Sequence, residues 1–158
     1  MQTPASLSSR RVEPATAESQ PFLYAVLAQS GLEDIYDARD VTEVVFRTVR
    51  DIVGKDVVNQ VTAEIEAGNA PDTTEIAALW KDTNPLVALI SRVRPPLEIA
   101  SDTFFFRVAQ EAGLPKFINP KSAVKAVFAQ LKPRLSSARA EELRLLLPDQ
   151  VQQVWRQA

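Results

Sequence analysis

The sequence predicts an all-α protein in which two tandem pseudo-symmetric helical repeats form one compact helical bundle. Three observations lead there. Four glycines and two tyrosines stand against many Ala, Leu and Val, a composition that favours helix over sheet. Apolar residues recur at three- and four-residue spacing, punctuated by Gly and Pro where helices stop and start. The pattern also occurs twice at a constant offset of 82 positions. Ser19 matches Ser101, Phe22 matches Phe104, Val26 matches Val108, Gly31 matches Gly113, Leu32 matches Leu114, Val45 matches Val127 and Phe46 matches Phe128. These seven identities fall in residues 19–65 against 101–147 without a gap, and the substitutions between them keep their character, as in Tyr24/Phe106, Ile35/Phe117, Val61/Leu143 and Ile65/Leu147.

The elements follow in order. Residues 1–18 are rich in Ser, Ala, Pro and Thr and offer no apolar face, so they are expected to be a disordered N-terminal tail. Repeat one spans 19–80. Its first helix is expected to start at Ser19, whose hydroxyl can cap, with Pro21 in the first turn. Phe22, Leu23, Val26 and Leu27 make its apolar face, and Gly31 ends it in the left-handed conformation. A second helix is expected from Ala38 to Val53, capped by Asp37 or by a box of Asp40 with Glu43. Its Val- and Ile-rich stripe (Val41, Val44, Val45, Val49, Ile52, Val53) has modest helix propensity, so tertiary packing must hold it. Gly54 closes it. A third helix, Asp56 to Ala67, buries Val57, Val58, Val61 and Ile65. Pro71-Asp72 then opens a short helix carrying Trp80, just as Pro148-Asp149 opens one carrying Trp155, and each indole is read as the lid of its own layer.

Repeat two spans 101–158. Ser101 is expected to cap, Phe104, Phe105, Val108 and Ala109 to pack, and Gly113 to stop the helix. Asn119-Pro120 starts the next helix, with Val124, Val127, Phe128 and Leu131 inward and Pro133 breaking it. Ser136 or Ser137 caps a helix striped by Leu143, Leu146 and Leu147. The run Phe104-Phe105-Phe106 goes round the helix, so one ring leaves the local core. Phe106 and Tyr24 are expected either to meet across the repeats or to leave an exposed patch.

Between the repeats lies a connecting segment with a short helix, residues 81–100, which has no counterpart. Leu86, Val87, Leu89 and Ile90 are too apolar for a free linker, so the segment is expected to dock. It serves either as a strap on its own repeats or as a contact for a partner protein through Leu86, Leu89, Ile90, Arg92 and Arg94.

The chemistry of the chain is bounded mainly by exclusion. The 158 residues carry 18 basic and 20 acidic side chains, a net charge of −2, which gives no electrostatic footprint for nucleic acid. No cysteine and no histidine are present, which removes disulfides, thiolate and imidazole metal sites and histidine-activated nucleophiles. No phosphate-binding glycine loop or metal motif occurs, and neither a metal nor a cofactor is expected. Glu141 and Glu142 point apart on a helix, while Glu98 and Asp102 are expected to share a face without further ligands. Without an apolar run of about 18 residues there is no membrane span, and without a signal-like apolar core at the start the expectation is a cytoplasmic protein.

The segments FFFRVAQEAGL, AVKAVFAQLKPRLSSARAEELRLLLP and VQQVW resemble a bacterial family known as domain of unknown function 2267. In the first repeat GKDVVNQVTAEIEAG departs from that pattern, and the joint is long. The resemblance implies an all-α fold and carries no catalytic or binding residues. The functional expectation is a protein-interaction or scaffold module with an unidentified protein partner. The alternative is a binder of an apolar small molecule between the repeats. An enzyme acting through carboxylates ranks last, and the oligomeric state is not specified.

Overall fold

The computed structural model describes residues 20–81 and 95–158. Eight α-helices and no strand occur among them: α1 (Pro21–Ser30), α2 (Ile35–Val53), α3 (Lys55–Glu66), α4 (Thr73–Trp80), α5 (Ser101–Glu111), α6 (Pro120–Leu131), α7 (Ser137–Leu146) and α8 (Asp149–Gln157). A 3-10 turn, Lys132–Arg134, follows α6 where Pro133 stops the α-helical ladder. The helices form an all-α bundle.

The central pair is α2 and α6. Helix α2 packs against α1, α3, α4, α5, α6 and α7, and α6 packs against α1, α2, α5 and α8. Helix α1 lies on α6 as well as on α2, while α5 lies on α2 as well as on α6, so the first helix of each half covers the other half's central helix. One continuous apolar core results, containing Phe22, Phe46, Phe104, Phe128 and both indoles. Several positions 82 apart are buried together: Phe22 with Phe104, Val26 with Val108, Val45 with Val127, Val61 with Leu143 and Ile65 with Leu147.

Both tryptophans close a layer by the same contacts. Trp80 meets Phe46 edge-on with centroids 5.3 Å apart, and Trp155 meets Phe128 edge-on at 4.8 Å. Arg50 lies over the Trp80 ring at 6.0 Å and donates to the Trp80 carbonyl. Lys132, 82 positions later, lies over Trp155 at 5.7 Å and donates to the Trp155 carbonyl at 2.8 Å. In both places a cation satisfies the carbonyl end of a short helix, where the peptide dipoles favour positive charge, and covers the indole face.

Helix ends depart from the sequence expectation in instructive ways. Helix α2 begins at Ile35 rather than Ala38, because the Asp34 carboxylate accepts from the Tyr36 and Asp37 N–H groups. Ser19 lies outside the described residues, and α1 is capped from a distance: Glu75 of α4 accepts from Phe22 N–H at 2.8 Å and Leu23 N–H at 3.0 Å. Ser101 does not cap α5; its hydroxyl accepts from Gln150 N–H and so ties down the start of α8. Asn119 caps α6 at the expected start, and of the two serines offered for α7 it is Ser136 that caps. Gly31 and Gly113 hold φ of 78° and 66°. At Gly113 the ending is a complete Schellman motif, with Leu114 N–H on the Ala109 carbonyl and Gly113 N–H on the Gln110 carbonyl.

Several expectations of burial and of shared faces are corrected. Leu146 turns to solvent because Leu143 of α7 and Leu147 just past its end are the leucines that face the core. Val57, Val58 and Ala109 are half-buried rather than core. Glu98 precedes α5 in extended chain, so it shares no helix face with Asp102.

Candidate functional site

The apolar side chains that the fold leaves in water define the candidate site. Phe106 on α5 is 65% exposed, and Phe117, in the link from α5 to α6, is 73% exposed. Leu145 and Leu146 are exposed at the end of α7. The reason for the first lies in the Phe104-Phe105-Phe106 run. Phe104 and Phe105 turn inward and stack edge-on at 5.7 Å, and the next position, about 100° round the helix, points out. Tyr24 at the matching position of α1 packs against the core, so of the two expectations for this pair Phe106 realises the exposed one. Phe117 is exposed because the Schellman turn folds Leu114 back and α6 does not begin until Pro120, whereas its match Ile35 is the buried first residue of α2.

Three exposed lysines fall in the same stretch of chain as Phe117. Lys121 rests its ammonium over the Phe105 ring at 5.6 Å, and Lys116 and Lys125 are exposed beside it in sequence. Because Lys121 and Lys125 are one turn apart, they share a face of α6 opposite its buried Ala123, Val124, Ala126 and Val127.

The joint is visible at its two margins. Lys81 pairs with Glu66. At the other margin Leu97 N–H donates to the Asp51 carbonyl at 2.8 Å, and Pro96 packs onto Gly54 so closely that a Cβ there would stand 2.9 Å from Pro96 Cγ. Leu86, Leu89, Ile90, Arg92 and Arg94, the residues expected to contact a partner, lie outside the described residues.

Ion pairs fasten the halves together. Arg107 of α5 binds Asp51 of α2 at 2.7 Å, Arg134 binds the buried Asp72, and Arg139 binds Glu64 at 3.1 Å. Burial pushes the Glu64 carboxyl up, but Ser136 N–H, the Arg139 guanidinium and the Ser136 hydroxyl outweigh it and hold it below the usual glutamate range. The charges of Glu141 and Glu142 diverge onto Arg144 and Arg139. No cluster of acidic residues able to hold a metal ion occurs among the described residues. No helix among them is long and apolar enough to cross a membrane.

A family model described as "Uncharacterized conserved protein (DUF2267)" matches residues 19–154. The chain belongs to the DUF2267 family. No curated protein matches it. The DUF2267 match takes in Trp80 and the joint and ends one residue before Trp155. Phe106, Phe117 and the three lysines therefore lie within the family's domain rather than in an appendage. Sequence reasoning raised Phe106 as a possible contact but missed Phe117. The signal lay in the different helix-start residues at matched positions around it. Helix α2 starts at Ile35 behind an Asp34 cap, but its counterpart waits for Asn119-Pro120 and strands position 117 in a loop.

Proposed function

We propose that this DUF2267 protein is an interaction or scaffold module that binds a protein partner through the aromatic surface of α5 and the α5–α6 link. The observation that carries this reading is the exposure of Phe106 and Phe117 in a chain whose other five phenylalanines are buried. Covering a phenylalanine side chain is worth about 2–3 kcal/mol, and aromatic residues are the usual anchors at the centre of protein interfaces. The repeats 19–80 and 101–158 supply a rigid platform, and the joint residues Leu86, Leu89, Ile90, Arg92 and Arg94 supply a second contact element. The setting proposed is the cytoplasm.

The test is comparative capture with wild type, Phe106→Asp with Phe117→Asp, and Leu86→Asp with Ile90→Asp, each checked for intact melting by circular dichroism. The expected result is a partner retained by wild type and lost from the phenylalanine variant at unchanged Tm. Identical capture by all three chains overturns the proposal. A steep fall of Tm in the Leu86/Ile90 variant assigns the joint to holding the repeats instead.

A further inference from the structure

We propose that the face around Phe117 is covered by a second copy of this chain, in a two-fold dimer that sets the acidic α1–α2 corner of each protomer against the lysines of its partner. This inference rests on the reading of the aromatic surface as a contact face and names its occupant.

Charge carries it. Lys116, Lys121 and Lys125 are exposed, and none forms an ion pair among the described residues. The arginines of the second half behave differently: Arg107, Arg134, Arg139 and Arg144 are all paired. The nearby carboxylate of Glu111 is held by Arg47 and Arg107. Asp102, in the first turn of α5, forms no ion pair with any of the three lysines.

At the corresponding corner of the first half the sign is reversed at two of the three lysine positions, while Arg39 keeps the charge of its match Lys121. Glu33, Asp37, Asp40 and Glu43 are gathered at the start of α2 without ion pairs among the described residues, beside the capping Asp34. Position 43 is Glu where its match 125 is Lys, and position 34 is Asp where its match 116 is Lys. The carboxylates there outnumber the Arg39 cation among them. The Asp40 carboxyl is raised by its burial and then by Asp37 and Asp34, and the cation opposing them is Arg39 of the same helix, not a lysine of the basic corner.

Both corners occupy the same end of the bundle. A Cβ at Gly31, where α1 turns into α2, would lie 3.9 Å from Ile118 Cδ1, just ahead of α6. A molecule that carries unneutralised charge of both signs side by side at one end is self-complementary. A two-fold axis through that end forms each acidic-to-basic contact twice and closes the assembly. It also removes the exposed Phe117 ring from water. A foreign acidic partner would cover the lysines but leave the acidic corner facing it with like charge.

The experiment is sedimentation velocity of the full chain over a dilution series, at about 0.01 M and about 1 M salt, where the screening length falls from about 30 Å to about 3 Å. Wild type is expected to show a dimer that weakens with salt. Lys121→Glu with Lys125→Glu, and separately Asp40→Lys with Glu43→Lys, should each weaken self-association by at least about a hundredfold, because like charges then face each other. All four positions are exposed, so folding is checked only as a control. An equimolar mixture of the two variants is expected to restore the dimer mass. Wild type that stays monomeric at low salt, a dimer indifferent to both reversals, or a mixture that remains monomeric overturns the inference. A monomeric wild type leaves the aromatic contact reading standing, since that reading fails only when Phe106 and Phe117 do not affect capture.

Discussion

The first half, α1 to α4, and the second, α5 to α8, solve the interior in the same way and the exterior in opposite ways. Phe46 under Trp80 and Phe128 under Trp155 stack edge-on, each with a cation 82 positions apart that covers the ring and meets its carbonyl. Outside, Asp34 and Glu43 stand where Lys116 and Lys125 do, and Ile35 is buried where Phe117 is exposed. A close-packed interior tolerates few changes of volume, whereas a surface side chain answers only to water and partners. Helix capping falls between these extremes. In the first half α4 reaches across to cap α1 through Glu75; in the second, α5 reaches across to cap α8 through Ser101. The two ends are joined in both halves, but the donor and the acceptor helices are exchanged.

The largest expected effect tests the shared interior. Phe46→Ala and Phe128→Ala remove fully buried rings and should each cost about 3–5 kcal/mol in urea unfolding. A loss below about 1 kcal/mol at either site would break the equivalence of the two layers.

The glycines sharpen the comparison at intermediate magnitude. Gly113→Ala meets no atom within 4 Å of the new Cβ and should cost only the left-handed backbone penalty, about 1 kcal/mol. Gly54→Ala carries φ of 85° and also strikes Pro96, so overpacking of about 1–3 kcal/mol adds to that penalty. Equal losses in the two variants would mean that Pro96 gives way freely and that the joint is not fastened to the α2–α3 corner.

The smallest effect distinguishes two carboxylates that both accept helix N–H groups. Glu75 lies above the usual range because burial raises it, against the Phe22 and Leu23 N–H groups, with Asp72 adding to the rise. With its folded pKa raised, its stabilising contribution is complete below the unfolded pKa and is lost as pH rises through the folded one. Glu64 is lowered, because Ser136 and Arg139 outweigh its burial. Its contribution is complete above the unfolded pKa and is lost as pH falls through the folded one. Unfolding free energy followed across the acid range should therefore lose part of its fall at low pH in Glu64→Gln. In Glu75→Gln it should lose part of its decline on the upper side of the glutamate range. Parallel pH profiles in the two variants would refute the assignment.

Sequence alone was sufficient for the helices, the stops at Gly31 and Gly113, the start at Asn119-Pro120 and the burial of both tryptophans, and it narrowed the α7 cap to Ser136 or Ser137. Each follows from residues within one turn of one another or from a repeating apolar period. The candidate surface was only half legible. Phe106 follows from three consecutive phenylalanines on a helix that can bury two faces, but Phe117 depends on where α6 starts. The cross-chain partners were not legible at all. Nothing near Pro21 in the chain points to Glu75, and nothing near Gly54 points to Pro96.

That division has a physical origin. Helix formation and its local caps are set by interactions over three or four positions, and the matched apolar register specifies which faces go inward. These the sequence by itself determined. Which acid meets which base, which carboxylate caps a distant helix, and which glycine must lack a Cβ for a proline to pass depend on how the helices dock. The docking joins residues more than 40 positions apart, as in Phe22 with Glu75, Arg107 with Asp51 and Ser101 with Gln150. Only the tertiary structure decided them, because the energy of each contact exists only once both helices have already been brought together by the apolar core.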